Sequence, residues 1–252
     1  MAESDTSLYV LPVEEAWGGK LHTVTEIPGN ASAEEHIYEA QWRDSAWIQG
    51  TIAAIIIILL FSLRKIVTVT PVLLGGFIRL KENFNIENSL HIRTSRNRVA
   101  LISVASMAII WARYRLLPYD TPLSQSPAGT LAFTLAAILL WWAYRAAVNA
   151  VFIKTTGKER SYKIAGGTSY TYFTIATALT YIAAAALYII GQRDYAVMQK
   201  AILASFLLIY LIYIIREIQI FVQCSRSAYS TFLYLCTLEI IPAVAVLLSI
   251  IL

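Results

Sequence analysis

The stretch GTLAFTLAAILLWWAYRAAVNAVFI, residues 129–153, decides the fold of this chain. It holds 25 consecutive residues with a single charged side chain, Arg145. A helix of this length is about 37 Å long, which is enough to cross a hydrocarbon layer of about 30 Å. Because lipid offers the backbone no hydrogen-bonding partners, such a segment must pair its N–H and C=O groups internally. The stretch therefore predicts a transmembrane α-helix.

The same pattern recurs along the chain. Five further apolar segments lie near residues 46–63, 99–116, 170–190, 200–222 and 230–251. Hydrophobic residues make up 58% of the chain and charged residues only 14%, whereas soluble proteins carry about 25% charged residues. The second segment is the weakest, since it is only 14 residues long, Val99–Ala112, before Arg113 and Arg115. We predict an all-α membrane protein, a bundle of about six transmembrane helices.

The apolar segment 66–78 follows the first predicted span directly. It is only 13 residues long and contains Pro71 and the pair Gly75-Gly76. A segment this short cannot cross a bilayer alone, and proline and glycine disfavour the helix interior. We therefore expect an interfacial or re-entrant segment after the first helix.

The chain divides by charge into an N-terminal tail, residues 1–45, and a membrane domain, residues 46–252. Residues 1–46 carry nine acids and two bases, a net charge of −7, so the remainder carries +11. Ser32 and Glu35 form a helix capping box, which predicts a short helix over 33–43. The tail is either a solvated acidic extension or a docking peptide for another membrane or periplasmic protein.

Basic residues in the connecting segments predict the orientation. Segments 64–98, 154–169 and 216–229 hold thirteen Lys and Arg, against six on the opposite side. By the positive-inside rule the first set is cytoplasmic, which places both termini outside, in the periplasm of a bacterium. No basic face remains for nucleic acid once these loops are assigned.

Motifs for metal binding, cofactor binding or catalysis are missing from the sequence. The three histidines, His22, His36 and His91, are isolated, and Cys224 and Cys236 form no CxxC pair. The sequence also lacks a phosphate-binding P-loop and a GxSxG nucleophile motif. We therefore expect no metal and no cofactor, and we assign no catalytic residue.

Charged and polar residues within the predicted spans give the main functional lead. Arg145 and Glu239 lie at similar depths, roughly 12 and 13 Å from the basic ends of their helices. A lone charge there costs on the order of 3 kcal/mol or more, so we predict that the two side chains pair inside the bundle. Asn149 lies one turn from Arg145, and Pro242 leaves a backbone carbonyl near Glu239 without a helical partner.

Two spans also present polar groups along one helical face. The residues with this spacing are Tyr170, Thr174, Thr177, Tyr181 and Tyr188 in the fourth span, and Tyr210, Tyr213 and Glu217 in the fifth. Such faces point toward protein or water. Three interpretations stay open: hydrogen bonds between packed helices, a polar cavity for a lipid headgroup, ion or proton, and catalysis.

The C-terminal run LYLCTLEIIP, Leu233–Pro242, resembles the C-terminal signature of a family of multi-pass inner-membrane proteins of Bacteroidota, a domain of unknown function. The likeness extends more loosely from about Arg64 to Leu252, and the acidic tail lies outside it. It implies a bacterial inner-membrane location and no established enzymatic activity. Glu239 and Pro242 fall within the matching run, but the resemblance assigns no role to them.

Three functions follow as hypotheses. The first is a non-enzymatic component of an envelope assembly, secretion or transport complex, whose tail and basic loops contact other proteins. The second is a transporter or flippase for a lipid-linked or anionic substrate, with Arg145 as the anion contact and Glu239 as a proton-coupling group. The third is an intramembrane lipid-modifying enzyme, for which only Glu217 with nearby Tyr or Ser residues could supply a catalytic dyad.

Overall fold

The computed structural model describes residue 38 and residues 41–117, 126–157, 159–192, 194–224 and 228–240. These residues form seven α-helices, one π-helix and no strand. The helices are α1 Ala46–Ile78, α2 Leu80–Asn88, α3 Leu90–Arg113, α4 Pro127–Thr156, α5 Glu159–Ile190, α6 Tyr195–Cys224 and α7 Ala228–Leu235, which continues into the π-helix Cys236–Ile240. The described part of the chain is thus all-α, as predicted.

Four of these helices, α1, α4, α5 and α6, are long and apolar enough to cross a membrane. They contain the first, third, fourth and fifth predicted spans. The second predicted span, 99–116, overlaps the last part of α3, which ends at Arg113, and the sixth begins in α7 and runs on beyond the described residues. The short helix predicted over 33–43 also lies mostly outside them, although residues 38 and 41–44 are helical.

Helix α3 is missing from this set because Arg93, Arg96 and Arg98, in its first three turns, lower its hydropathy. Arg96, Ser103 and Ser106 are all buried, together with seven apolar residues of the same helix. Helices α1, α2, α4 and α5 pack around it. A hydropathy test looks for side chains suited to lipid, so it underrates a helix that is enclosed by protein.

The separate interfacial or re-entrant element predicted for residues 66–78 is not formed. These residues are the last part of α1, which runs as one helix through Pro71. The glycine pair does not end the helix, and Gly76 allows α2 to fold back against α1. A Cβ on Gly76 would lie 2.6 Å from Asn83 Oδ1, and Asn83 Nδ2 donates a 3.0 Å hydrogen bond to the Gly76 carbonyl.

The ends of several helices meet at one end of the bundle. Arg216 of α6 donates to the carbonyls of Phe77 and Ile78 at the end of α1, at 3.1 and 2.6 Å. Helix α2 and the first residues of α3 and α5 lie at the same end, with the last turns of α4. We call it the basic end, because Arg93, Arg96 and Lys163 lie there.

Residues before α1 contact the opposite end of the bundle. Tyr38 is buried, and its hydroxyl donates a 2.8 Å hydrogen bond to the Ala112 carbonyl. Burial raises the pKa of Tyr38, an effect partly offset by Thr130 and by Arg115, whose guanidinium lies 4.2 Å from the ring centroid. The neutral phenol therefore fixes this part of the chain to the last turn of α3.

Candidate functional site

Arg145 of α4 is paired with an acid on α6. Its Nη2 donates a 3.1 Å hydrogen bond to Glu217 Oε1 and another hydrogen bond to the Tyr213 hydroxyl. Tyr213 in turn donates to the same Glu217 oxygen. The Glu217 side chain is fully buried and that of Arg145 is 11% exposed, so the pair is almost entirely enclosed by protein. Removing one member of such a pair costs about 3–5 kcal/mol, because the other charge stays buried.

The predicted partner of Arg145 was Glu239. The backbone of Glu239 belongs to the π-helix, but its side chain and the whole of Pro242 lie outside the described residues. Pairing of Arg145 with Glu239 therefore stays a prediction. Tyr144 fixes this region from α4, since its hydroxyl donates a 2.9 Å hydrogen bond to the Thr237 carbonyl of the π-helix.

Asn149 links α4 to α5. Its Nδ2 donates a 3.2 Å hydrogen bond to the Tyr162 carbonyl, and a Cβ on Gly166 would lie 2.7 Å from the same nitrogen. Asn149 Oδ1 is buried and has no hydrogen-bonding partner among the described residues. Within this part of the chain, this oxygen is therefore an unpaired hydrogen-bond acceptor next to the cavity that is described below.

A second buried ion pair, absent from the sequence analysis, joins α2 to α3. Arg96 is only 2% exposed, and its Nη1 donates to Glu87 Oε1. Its Nε and Nη2 donate to Asn97 Oδ1 at 3.2 and 3.0 Å. The guanidinium lies 5.6 Å from the Tyr170 ring centroid. The only sequence signal for this pair is a run of bases and acids between two helices, which is also typical of a solvated loop.

A cavity of 310 Å³ lies between these two ion pairs. Its charged lining consists of four bases and one acid, Arg93, Arg96, Arg145, Lys163 and Glu87. One full face of α4 forms a wall, and the residues of this face are Trp142, Arg145, Ala146, Asn149, Ala150 and Ile153. From Trp142 to Ile153 this wall is about 16 Å long.

Two of the four bases have charged partners close by, and a third is balanced at the surface. Arg145 and Arg96 contact Glu217 and Glu87, as described above, and Lys163 pairs with the exposed Glu159. The half-buried Arg93 guanidinium forms no hydrogen bond or ion pair with the described residues. The lining therefore carries an uncompensated positive charge. In a low-dielectric surrounding such a cavity attracts an anion.

The residues of the predicted polar faces of α5 and α6 have different roles: some pack or bond helices, and others lie at the cavity or the ion pair. Thr174 and Thr177 donate to carbonyls of their own helix, each at 2.9 Å, and Tyr181 donates at 2.8 Å to the Ser106 carbonyl of α3. Tyr188 is 60% exposed, and Tyr210 stacks on Phe206 with ring centroids 6.3 Å apart. Tyr170 alone of the α5 set lines the cavity, and Tyr213 of α6 holds the Arg145–Glu217 pair.

The geometry around Glu217 and the positions of the possible metal ligands bear on two other chemical roles. Glu217 is fully buried and bound by Arg145 and Tyr213, so it is not placed to act as an exposed general base on a lipid. Among the residues that the structure describes, no group of three or more His, Cys, Asp or Glu could hold a metal ion.

Comparison with known protein families matches residues 50–250 to a family described as Domain of unknown function (DUF4271). The matched range covers all the helices described above except the first turn of α1, and it includes Leu233–Pro242. No curated protein and no solved structure matches the chain.

Proposed function

The chain belongs to the DUF4271 family, and we propose that it is a non-enzymatic, multi-pass inner-membrane protein of Bacteroidota that moves a lipid-linked or anionic substrate. The observation that supports this proposal is the basic cavity beside the Arg145–Glu217 pair. Arg145 belongs to both, since it lines the cavity and binds the buried acid. It is therefore the group through which an anion would contact the core of the bundle.

The charge of the cavity supports an anionic rather than a neutral substrate. Buried arginines are costly in a membrane domain and are retained where they pair or bind a ligand. Glu87 and Glu217 account for Arg96 and Arg145, but they leave Arg93 without a partner among the described residues. A bound anion would supply the negatively charged partner that Arg93 lacks in the described part of the chain.

The shape of the cavity supports movement along the membrane normal. Its wall on α4 is about 16 Å long, roughly half the thickness of a hydrocarbon layer. Ala146 and Ala150 add only methyl groups to this wall, and Gly166 and Gly167 make room for the Asn149 and Glu87 side chains on the opposite side. The bases would then guide an anion from the basic end toward the depth of Arg145.

We place the basic end in the cytoplasm and both termini in the periplasm. Segments 64–98, 154–169 and 216–229, which the sequence assigns to this side, hold thirteen of the Lys and Arg residues of the chain, against six on the other side, and this asymmetry sets orientation in most multi-pass proteins. The substrate would accordingly be collected from the cytoplasmic leaflet.

A lipid-translocation assay tests the proposal. The full chain is reconstituted into phosphatidylcholine vesicles with a trace of fluorescent phosphatidylglycerol or phosphatidic acid, and an impermeant quencher bleaches only the outer leaflet. We expect the protein to bring inner-leaflet label to the outer surface. The double variant Arg145→Gln/Glu217→Gln removes both charges together, so neither is left buried alone. It should slow translocation by about tenfold or more, the value of one charge-assisted contact.

Lys154→Gln is the matched control, because this exposed base lies near the end of the same helix and outside the cavity. It should translocate both lipids at the rate of the unaltered protein. If neither anionic lipid moves faster than in protein-free vesicles, or if the double variant is as fast as the control, the transport proposal is wrong.

A component of an envelope assembly or secretion complex is the second candidate. The net charge of −7 over residues 1–46 favours it, because an exported acidic segment suits a basic partner protein. Crosslinking in intact cells followed by purification of the full chain tests this idea. Recovery of the chain without a stoichiometric partner would leave the transport proposal alone.

A further inference from the structure

We infer that the cavity takes a phosphate monoester, the dianionic group found on some lipids and on free phosphates. This inference rests on the proposed function, which requires only that the substrate be anionic. It specifies the substrate class through the number and arrangement of N–H donors at Arg93, Arg96 and Arg145.

The bases approach the cavity from three helices. Arg93 and Arg96 lie three residues apart on one face of α3, Arg145 projects from α4 and Lys163 from α5. Guanidinium groups present planar pairs of N–H donors that match the oxygens of phosphate, and several can bind one phosphate from different sides. A carboxylate has two oxygens and one charge, so it could satisfy only part of this set.

The carboxylates already present favour a ligand of higher charge. Arg96 has five N–H donors and uses three of them on Glu87 and Asn97. Two donors therefore remain for a ligand without loss of the Glu87 pair. A monoanion would bring no more charge than Glu87 itself. A phosphate monoester brings up to two negative charges and three terminal oxygens, enough to contact Arg93 and the remaining donors of Arg96 together.

The size of the cavity suits a headgroup rather than a whole lipid. Its 310 Å³ is at the lower end of the range for ligand pockets, about 300–1,000 Å³. One turn before Trp142, on the same side of α4, Leu139 is an exposed apolar side chain, and it lies on the surface that a lipid-bound substrate would approach with its acyl chains. A free phosphate would use the same bases without this surface.

Binding measurements on the full chain in detergent test the inference. Native mass spectrometry counts bound dioleoyl phosphatidic acid, a monoester, against dioleoyl phosphatidylglycerol, a diester, and oleate, a carboxylate. We expect phosphatidic acid to bind about tenfold more tightly than either competitor, the value of one additional charge-assisted contact. Inorganic phosphate is titrated separately by its effect on thermal unfolding. Stabilisation by inorganic phosphate at concentrations comparable with phosphatidic acid would assign the site to a free phosphate, and stabilisation by the lipid alone would assign it to a headgroup.

Arg93→Gln and Arg98→Gln form a matched pair on α3. Arg93 lines the cavity, whereas Arg98 is exposed and lies outside it. Neither side chain has a partner among the described residues, so both variants should melt like the unaltered protein. Arg93→Gln should weaken phosphatidic acid binding roughly tenfold, and Arg98→Gln should leave it unchanged.

Three results would overturn the inference. Equal binding of phosphatidylglycerol or oleate would show that any anion suffices, which rejects the phosphate monoester but leaves anion transport standing. Equal loss in the two arginine variants would show that binding depends on surface charge rather than on this cavity. Absence of binding by every anion tested would reject the inference and the proposed function together.

Discussion

Gly167 shows how one residue permits the charged lining of the cavity. It lies on α5 against the Arg96–Glu87 pair, where a Cβ would overlap the Glu87 carboxylate and lie 2.8 Å from Arg96 Nη1. Both groups belong to the buried Arg96–Glu87 pair, so an added methyl group would have to displace that pair. A residue without a side chain lets α2, α3 and α5 meet around the pair as it stands.

Gly167→Ala should therefore destabilise the full chain. Alanine in a helix gains about 0.5–1 kcal/mol over glycine, but overpacking against the ion pair costs about 1–3 kcal/mol. At about 2–4 °C per kcal/mol for a chain of this size, we expect a lower Tm by thermal unfolding in detergent. Gly50→Ala on α1 is the control, because a Cβ there meets nothing within 4 Å. Equal Tm values for the two variants would show that the ion pair tolerates a methyl group.

At this scale, the sequence cannot predict which side chains meet, because it does not give the rotation of each helix about its axis. Spacing alone places Tyr213 and Glu217 on one face of a helix, and depth alone requires a partner for Arg145. Which acid meets Arg145 depends on how α4 and α6 are turned toward each other, and no spacing rule supplies that angle. The Arg96–Glu87 pair was missed for a different reason, since bases in a connecting segment are usually solvated.

At the scale of elements, the glycine pair at the end of α1 has two distinct environments. A Cβ on Gly76 would lie 2.6 Å from Asn83 Oδ1 and 3.1 Å from Ile86 Cδ1, and both side chains are buried. A Cβ on Gly75 would meet only the Glu82 side chain, with Cγ at 3.5 Å and Cβ at 4.0 Å, which are ordinary contacts. Gly76 is therefore the residue that holds α2 against α1.

Gly76→Ala should loosen α2, whereas Gly75→Ala should not. The added methyl group pushes Asn83 and Ile86 away at a cost of about 1–3 kcal/mol. Because Arg79 lies exposed between the two helices, limited trypsin digestion of the full chain reports the change. We expect faster cleavage near Arg79 in Gly76→Ala than in Gly75→Ala or the unaltered protein. The same rate in all three proteins would mean that α2 does not depend on this close approach.

Helices α1 and α3 show what hydropathy cannot predict about the helices of this chain. The apolar runs locate α1, α4, α5 and α6 well, because those helices expose large apolar side chains over much of their length. The continuation of α1 through Pro71 was not predictable, since proline and glycine occur within membrane helices wherever packing compensates for them. The buried position of α3 was equally hidden, because Arg96 is paired with Glu87 of α2 and Ser103 donates to the Val99 carbonyl of its own helix, and hydropathy registers neither contact.

At the scale of the whole molecule, the role proposed for the cavity depends on the side of the membrane on which it opens. Helix α5 joins the basic end to the opposite end over 32 residues, about 48 Å. Thr155, just before α5, and Gln192, just after it, are both exposed. If α5 crosses the membrane, a label applied to one side reaches only one of these two positions.

Single-cysteine labelling in intact cells tests this arrangement. In a chain with Cys224 and Cys236 replaced by serine, Gln192→Cys should react with an impermeant maleimide from outside. Thr155→Cys should react only after the cells are permeabilised, because the basic end is retained in the cytoplasm by the positive charges around it. Labelling of Thr155→Cys in intact cells, with protection of Gln192→Cys, would place the cavity on the periplasmic side and reverse the direction of the proposed transport. Labelling of both positions before permeabilisation would contradict a membrane-spanning α5. It would also contradict a cavity whose attraction for anions is strengthened by surrounding lipid.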